Sequence, residues 1–157
     1  MNGKTICGLV CVALVGVGLI GCRNGRRGGV KATLDKVHDE TRGETRELVF
    51  DIVLTNSLDQ ARQVHVFLQA TSSRDKDLSA VWPARAEEGN LTEKGKLKIK
   101  HFDAGHAVTL PARDKLRIAN KSLLLPVEGA AYDRYRILVY DMGGGLLCDE
   151  TITAEVR

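Results

Sequence analysis

Aromatic residues are scarce in this chain, since Phe, Trp and Tyr together make up 4% of its 157 residues. Proteins that bind nucleic acid usually combine a basic surface with aromatic side chains on which the bases stack. Here the formal net charge is only +3, and acidic and basic residues are mixed along most of the chain. We therefore predict no nucleic-acid partner.

Two common catalytic motifs are also missing. The chain contains no G-x-S-x-G serine motif and no P-loop, which argues against an α/β-hydrolase and a P-loop NTPase. After the first 21 residues, no segment shows the 3.6-residue apolar period of an amphipathic helix. A helical fold is therefore not expected.

One long stretch lacks charge altogether. It is Ile6–Ile20, with the sequence ICGLVCVALVGVGLI, and Lys4 precedes it. A positive start followed by roughly 7–15 apolar residues is typical of a secretory signal. We therefore predict that residues 1–21 are an export signal.

The end of this stretch carries the most specific motif of the chain, Leu19-Ile20-Gly21-Cys22. It resembles the lipobox of bacterial lipoproteins, in which apolar and small residues precede an obligatory cysteine. The resemblance implies that a diacylglycerol is attached to the thiol of Cys22, and that cleavage falls between Gly21 and Cys22. It also implies that the new amino group is acylated.

Three alternatives to the lipobox remain open: an uncleaved transmembrane helix, an ordinary cleaved signal peptide, and a buried core helix. A spanning helix needs about 20 apolar residues, and this stretch is shorter and rich in glycine. The arginines after Cys22 outnumber Lys4, so an uncleaved helix would keep its C-terminal side in the cytoplasm. The domain that follows would then not be exported.

The cysteines then predict a domain without an internal disulfide. Of the four, Cys7 and Cys11 lie in the predicted signal and Cys22 takes the lipid, so that only Cys148 remains. On a strand, Cys148 would share a face with three apolar residues, Ile152, Ala154 and Val156. We therefore predict a buried core thiol rather than a redox site.

The rest of the chain divides into a tether and one domain. Residues 22–29 comprise the lipidated cysteine and a short basic segment with three glycines, for which we expect a flexible tether. Residues 30–157 are long enough for one domain with its own core.

Period-two alternation dominates this domain and predicts strands. Arg46–Asn56 places Leu48, Phe50, Ile52 and Leu54 on one face, and Gln63–Thr71 does the same with Val64, Val66, Leu68 and Ala70. We predict that the polar residues Ser57–Arg62 join these two strands as a hairpin. A second hairpin is predicted for Tyr132–Asp141 and Leu146–Val156, around Gly143–Gly145.

Six weaker strands complete the pattern: Val30–Val37, Leu78–Trp82, Lys96–Phe102, Ala107–Leu110, Lys115–Ile118 and Ser122–Leu125. Lys96–Phe102 alternates lysine with aliphatic residues, which is typical of a peripheral edge strand. Many short strands with frequent turns predict an all-β sandwich or barrel.

This layout resembles the immunoglobulin-like antiparallel β-sandwich domains of exported bacterial lipoproteins of unknown role. The resemblance rests on the strand Val49–Asn56, which ends in Thr-Asn, and on Ser122–Pro126 leading into the segment RILVYDMGG. The Cys…Trp…Cys pattern of antibody domains is absent, so the resemblance implies no antibody-type domain. A fold of this kind implies no particular function.

Two groups of residues are candidates for a site. His101, Asp103 and His106 could hold a metal ion, which would make the chain a small exported metal-binding protein or hydrolase. The same segment also suits an ordinary turn between strands, which we favour. Tyr132, Arg134, Arg136 and Tyr140 share one face by alternation, and this face could bind an acidic or carbohydrate partner.

The function expected from these observations is non-catalytic. We predict an envelope binding, adaptor or structural module, anchored by the lipid on Cys22 and without another cofactor. In the lipoproteins that the signal resembles, aspartate after the cysteine causes retention in the inner membrane. Here Arg23 follows Cys22, which favours the periplasmic face of the outer membrane if the organism has two membranes.

Overall fold

A computed structural model describes residues 28–87, 90–93, 95–125 and 131–153. The predicted signal, Cys22 and most of the tether lie outside this range, as do Ala154 and Val156. Within it, no helix combines the length and the apolar character that crossing a membrane requires.

Most of the described residues are in strands, as predicted. They form ten strands: β1 (Val30–Arg42), β2 (Thr45–Asn56), β3 (Arg62–Thr71), β4 (Ser79–Trp82), β5 (Leu91–Glu93), β6 (Lys96–Lys98), β7 (His106–Leu110), β8 (Lys115–Leu124), β9 (Arg134–Asp141) and β10 (Leu146–Thr153). Two single turns of 3-10 helix, Ala84–Glu87 and Phe102–Ala104, flank β5 and β6.

The strands form two antiparallel sheets that are arranged as a sandwich. The first sheet has the order β1-β2-β8, and the second has the order β10-β9-β3-β4. Strand β7 also pairs with the first half of β3, beside β4. Strands β5 and β6 form a separate two-stranded sheet.

The main core contains the apolar faces that the alternation predicts. All eight inward positions predicted for β2 and β3 are buried in one cluster, together with residues from β8, β9 and β10. Burying a side chain of this size stabilises the fold by roughly 2 kcal/mol each. Cys148 belongs to this cluster and is 3% exposed, which confirms the prediction of a buried thiol.

The predicted hairpin between β2 and β3 is wrong. Strand β2 pairs with β1 and β8, whereas β3 pairs with β9, β4 and β7, so the connection crosses from one sheet to the other. Polar turn residues show where a strand ends, but they do not determine whether the next strand pairs with it or packs across the core. The glycine hairpin between β9 and β10 is confirmed.

Three of the weaker predicted strands have different bounds in the structure. Lys115–Ile118 and Ser122–Leu125 belong to the single strand β8, whose pairing with β2 shifts at a bulge opposite Phe50 and Ile52. The predicted strand Lys96–Phe102 ends at Lys98, and a 3-10 turn begins at Phe102.

A buried carboxylate lies between two bulges of the first sheet. Asp51 in β2 is 2% exposed, and its Oδ1 accepts the backbone N–H of Asn120 at 2.8 Å. Its Oδ2 accepts a hydrogen bond from Arg117 Nη1 at 2.7 Å and lies 3.9 Å from Lys36 Nζ. Lys36 and Asn120 both have φ near +52°, a conformation that the bulges impose. The Asn120 hydrogen bond and the Arg117 guanidinium lower the pKa of Asp51.

Asp51→Asn should therefore destabilise the domain by about 2 kcal/mol at pH 7, because charge-assisted hydrogen bonds are lost. A carboxyl group whose pKa is lowered by folding stabilises the fold above its unfolded pKa, near 3.9, and this stabilisation is lost as the pH falls through the folded pKa. The difference between wild type and variant should thus narrow below about pH 4.

Urea unfolding of both proteins at pH 7 and pH 3 measures this difference. The exposed residue Asp103 offers a matched control, because Asp103→Asn should leave the free energy of unfolding nearly unchanged. If the difference in free energy of unfolding between wild type and Asp51→Asn is the same at both pH values, the lowered pKa of Asp51 is contradicted.

Candidate binding groove

The outer face of the second sheet is covered by the chain between β4 and β7. Phe67, Val81 and Leu138 on the sheet pack against Ala86 and Leu97 of this segment in a second apolar cluster. Because this face is covered, β3 is buried on both sides along most of its length.

A buried glutamine fixes the covering segment to the sheet. Gln69 Oε1 accepts the backbone N–H of Leu97 at 2.8 Å, and Gln69 Nε2 donates to the carbonyl of Gly95 at 3.2 Å. Within the segment, Asn90 joins two parts of the chain, because its Oδ1 accepts a hydrogen bond from the backbone N–H of His101 at 2.9 Å. These amides determine where β6 lies relative to β9.

A groove of about 370 Å³ remains between β6 and β9. It is lined by Lys96, Leu97, Lys98, Ile99, Arg136 and Tyr140. Lys96 and Lys98 are exposed on either side of the buried Leu97, as expected of the lysine-aliphatic alternation in an edge strand.

Arg136 is held in place by three hydrogen bonds. Its Nε and Nη2 donate to the two carboxylate oxygens of Asp149 at 2.8 Å each, and its Nη1 donates to the carbonyl of Leu97 at 3.1 Å. The hydrogen bonds with Asp149 raise the pKa of Arg136. A guanidinium group has five N–H donors, so two remain for a ligand.

Tyr140 forms the aromatic part of the groove. Its ring packs edge-on against Phe67 and Phe102, with centroid distances of 6.0 and 4.9 Å. Burial raises the pKa of Tyr140, so the hydroxyl is protonated at neutral pH and can donate a hydrogen bond.

The groove is suited to an anionic group. Asp149 balances the charge of Arg136, while Lys96 and Lys98 line the groove with ammonium groups. Ammonium and guanidinium donors bind carboxylates and phosphates through charge-assisted hydrogen bonds. The Tyr140 ring and hydroxyl offer an amphipathic surface beside them.

Of the four residues predicted to share one binding face, only two line the groove. Arg136 and Tyr140 both line the groove, while Arg134 is exposed at the beginning of β9. Tyr132 is buried in the main core instead, where its hydroxyl donates to the carbonyl of Leu124 at 3.4 Å. It precedes β9, so the alternation of that strand does not extend back to it.

The other candidate segment does not bring its three residues together. His101 and Asp103 are exposed. His106 is half-buried against the Trp82 ring at 5.0 Å, and burial lowers its pKa. In the part of the chain that the structure describes, no three His, Cys, Asp or Glu side chains are grouped as a metal site requires.

Sequence reasoning missed Gln69 and Asp149. Gln69 is the polar residue within the otherwise apolar end of β3, and a buried amide in such a position usually has a structural partner. The sequence around Asp149 does not indicate its contact with Arg136, because that contact depends on the pairing of β9 with β10.

No family model matches this chain, and no curated protein matches it. Among solved structures, a β-glucosidase of family GH3 from Bifidobacterium adolescentis is similar over 79% of this chain and 17% of its own, with 17% identity and a TM-score of 0.25. A likeness at this level defines neither the fold nor an activity for the chain.

Proposed function

We propose that this chain is a lipid-anchored protein of the bacterial cell envelope, and that its immunoglobulin-like domain binds an anionic partner without catalysis. The observation that carries the binding role is the groove between β6 and β9, where two lysines and Arg136 surround a half-buried tyrosine. The anchor rests on the lipobox-like motif ending at Cys22.

The strand order supports an immunoglobulin-like arrangement. In such domains, strands A, B, E and D form one sheet, and strands G, F and C form the other, with C′ and C″ added in the variable type. In the described part of the chain, the first sheet has no counterpart of D. The order β1-β2-β8 corresponds to A-B-E, and the order β10-β9-β3-β4 corresponds to G-F-C-C′.

A tyrosine at the equivalent of the E–F corner supports the same assignment. Immunoglobulin-like domains often carry a tyrosine near the start of strand F, whose hydroxyl bonds to the backbone a few residues upstream. Tyr135, the second residue of β9, donates its hydroxyl to the carbonyl of Tyr132 at 2.9 Å.

The partner is proposed from the charge of the groove. A carboxylate or phosphate group would contact Lys96, Lys98 and the two remaining N–H donors of Arg136. Envelope glycans and acidic protein segments both present such groups. Because Arg23 follows Cys22, we place this partner at the periplasmic face of the outer membrane in an organism with two membranes.

Photocrosslinking in intact cells tests this proposal. A photoreactive residue in place of the exposed Lys100, beside the groove, should capture the partner, and the mass of the adduct distinguishes a protein from a glycan. Lys96→Gln and Lys98→Gln should each reduce the adduct about five-fold, since an exposed charge contributes about 1 kcal/mol to binding.

Lys76→Gln is the matched control, because Lys76 is exposed in the loop between β3 and β4 and carries the same charge. It should leave the adduct unchanged. An adduct that is insensitive to both groove lysines, or equally sensitive to Lys76→Gln, would show that the groove is not the binding site.

A further inference from the structure

The chain enters the domain at one end of the sandwich. Gly28 lies directly against Leu147 at the beginning of β10, where a Cβ on the glycine would come within 3.0 Å of the leucine side chain. The carbonyl of Gly29 accepts the backbone N–H of Ser57 at 2.8 Å. We call this the entry end. It also includes the connection between β7 and β8 and the β9–β10 hairpin.

The loops of the entry end are held together by a buried amide. Asn56 is the last residue of β2, and its Nδ2 donates to the carbonyls of Gln60 and Pro111 at 2.9 Å each. Its Oδ1 accepts the N–H of Leu58 at 3.0 Å. Since all of these hydrogen-bonding groups are satisfied, the entry end presents a defined surface.

This surface carries exposed apolar side chains. Met142 and Leu146 flank the turn of the β9–β10 hairpin and are 54% and 43% exposed. The turn itself is fixed by Asp141, whose Oδ1 accepts the N–H groups of Gly143 at 2.9 Å and Gly145 at 2.7 Å. Leu124, the other strongly exposed large apolar residue of the described chain, lies at the end of β8 away from the entry end.

Covalent geometry restricts how far the entry end can be from Cys22. Five residues lie between Cys22 and Gly28, and the six residue-to-residue steps that join them span at most roughly 20 Å. The 13 residues of β1, in contrast, extend away from the entry end over about 40 Å. A lipid on Cys22 would therefore keep the entry end nearest to the bilayer.

We propose that the β9–β10 hairpin contacts the membrane surface, with Met142 and Leu146 in the headgroup region beside the lipid of Cys22. This inference rests on the lipid anchor of the proposed function. Apolar side chains of interfacial segments enter the boundary between headgroups and acyl chains, and two of them on a rigid turn would orient the domain. The groove between β6 and β9 would then hold a fixed direction relative to the bilayer.

Fluorescence of the full-length protein, extracted from bacterial membranes and reconstituted into phosphatidylethanolamine–phosphatidylglycerol vesicles, tests the contact. A polarity-sensitive probe is attached to Met142→Cys, to Leu146→Cys, or to the control Lys76→Cys in the β3–β4 loop at the opposite end. Cys148 is buried, and in the proposed mature chain Cys7 and Cys11 are removed and Cys22 carries the lipid, so the introduced thiol is the one that reacts. We expect a blue shift at positions 142 and 146, quenching by nitroxide-labelled headgroups, and neither effect at position 76.

The other outcomes separate this inference from the anchor. A protein that carries lipid on Cys22 but shows water-like emission at positions 142 and 146 would overturn the membrane contact alone. A protein without lipid on Cys22 would overturn both the contact and the proposed anchor. A blue shift that appears only at high protein density in the vesicles would assign the hairpin to a second copy, and so would also overturn the contact.

Discussion

Cys148→Asp is expected to lower the free energy of unfolding by roughly 3–5 kcal/mol, because an unpaired carboxylate would replace a thiol in the main core. The thiol is packed between the two sheets, and burial raises its pKa to about 12. Cys148→Ala should cost only about 1 kcal/mol, since one small group is lost.

Urea unfolding of these variants beside Thr151→Asp checks the expectation. Thr151 is exposed on the same strand, so that the same new charge there should change the free energy of unfolding by less than about 0.5 kcal/mol. The native thiol should also react slowly with a maleimide and rapidly after denaturation. Equal costs for the two aspartates, or fast labelling of the folded protein, would contradict the packing of β10.

Cys22→Ser is expected to abolish lipid attachment completely. In the lipoproteins that the signal resembles, the thiol receives the lipid before the signal is cleaved, and a serine hydroxyl does not replace it. Labelling of cells with a radioactive fatty acid should therefore show no incorporation into the variant, which should accumulate as the uncleaved precursor.

Cys11→Ser serves as the control for this experiment, because Cys11 lies in the predicted signal but outside the tetrapeptide that ends at Cys22. It should incorporate the label as the wild type does. Normal trimming of the Cys22→Ser variant by the general signal peptidase would show that the cysteine is coincidental.

The sequence predicted the strands that bury one apolar face. Strand β2 shows this, because its four inward residues all lie in the core. The hairpin of β9 and β10 was also predictable, since glycine adopts without strain the positive φ that a tight hairpin turn needs, as Gly144 does here. The β2–β3 hairpin was not, because the choice between pairing and crossing depends on contacts of both strands with β8 and β9 elsewhere in the chain.

The groove could be predicted only in part. Arg136 and Tyr140 followed from alternation within β9. Lys96 and Lys98 were recognised as residues of an edge strand, but nothing local placed that strand over the second sheet. Its position depends on the hydrogen bonds of Gln69 with Leu97 and Gly95, which join residues more than 20 positions apart. Contacts of this kind leave no pattern in a single sequence.

The intact mass of the protein extracted from bacterial membranes tests the central claim most directly. We expect a chain that begins at Cys22 and carries a diacylglycerol together with one further acyl chain on its amino group. Fragmentation should place all of the added mass on this first residue. A chain that retains residues 1–21, or one that begins at another residue without lipid, would contradict the proposed lipid anchor.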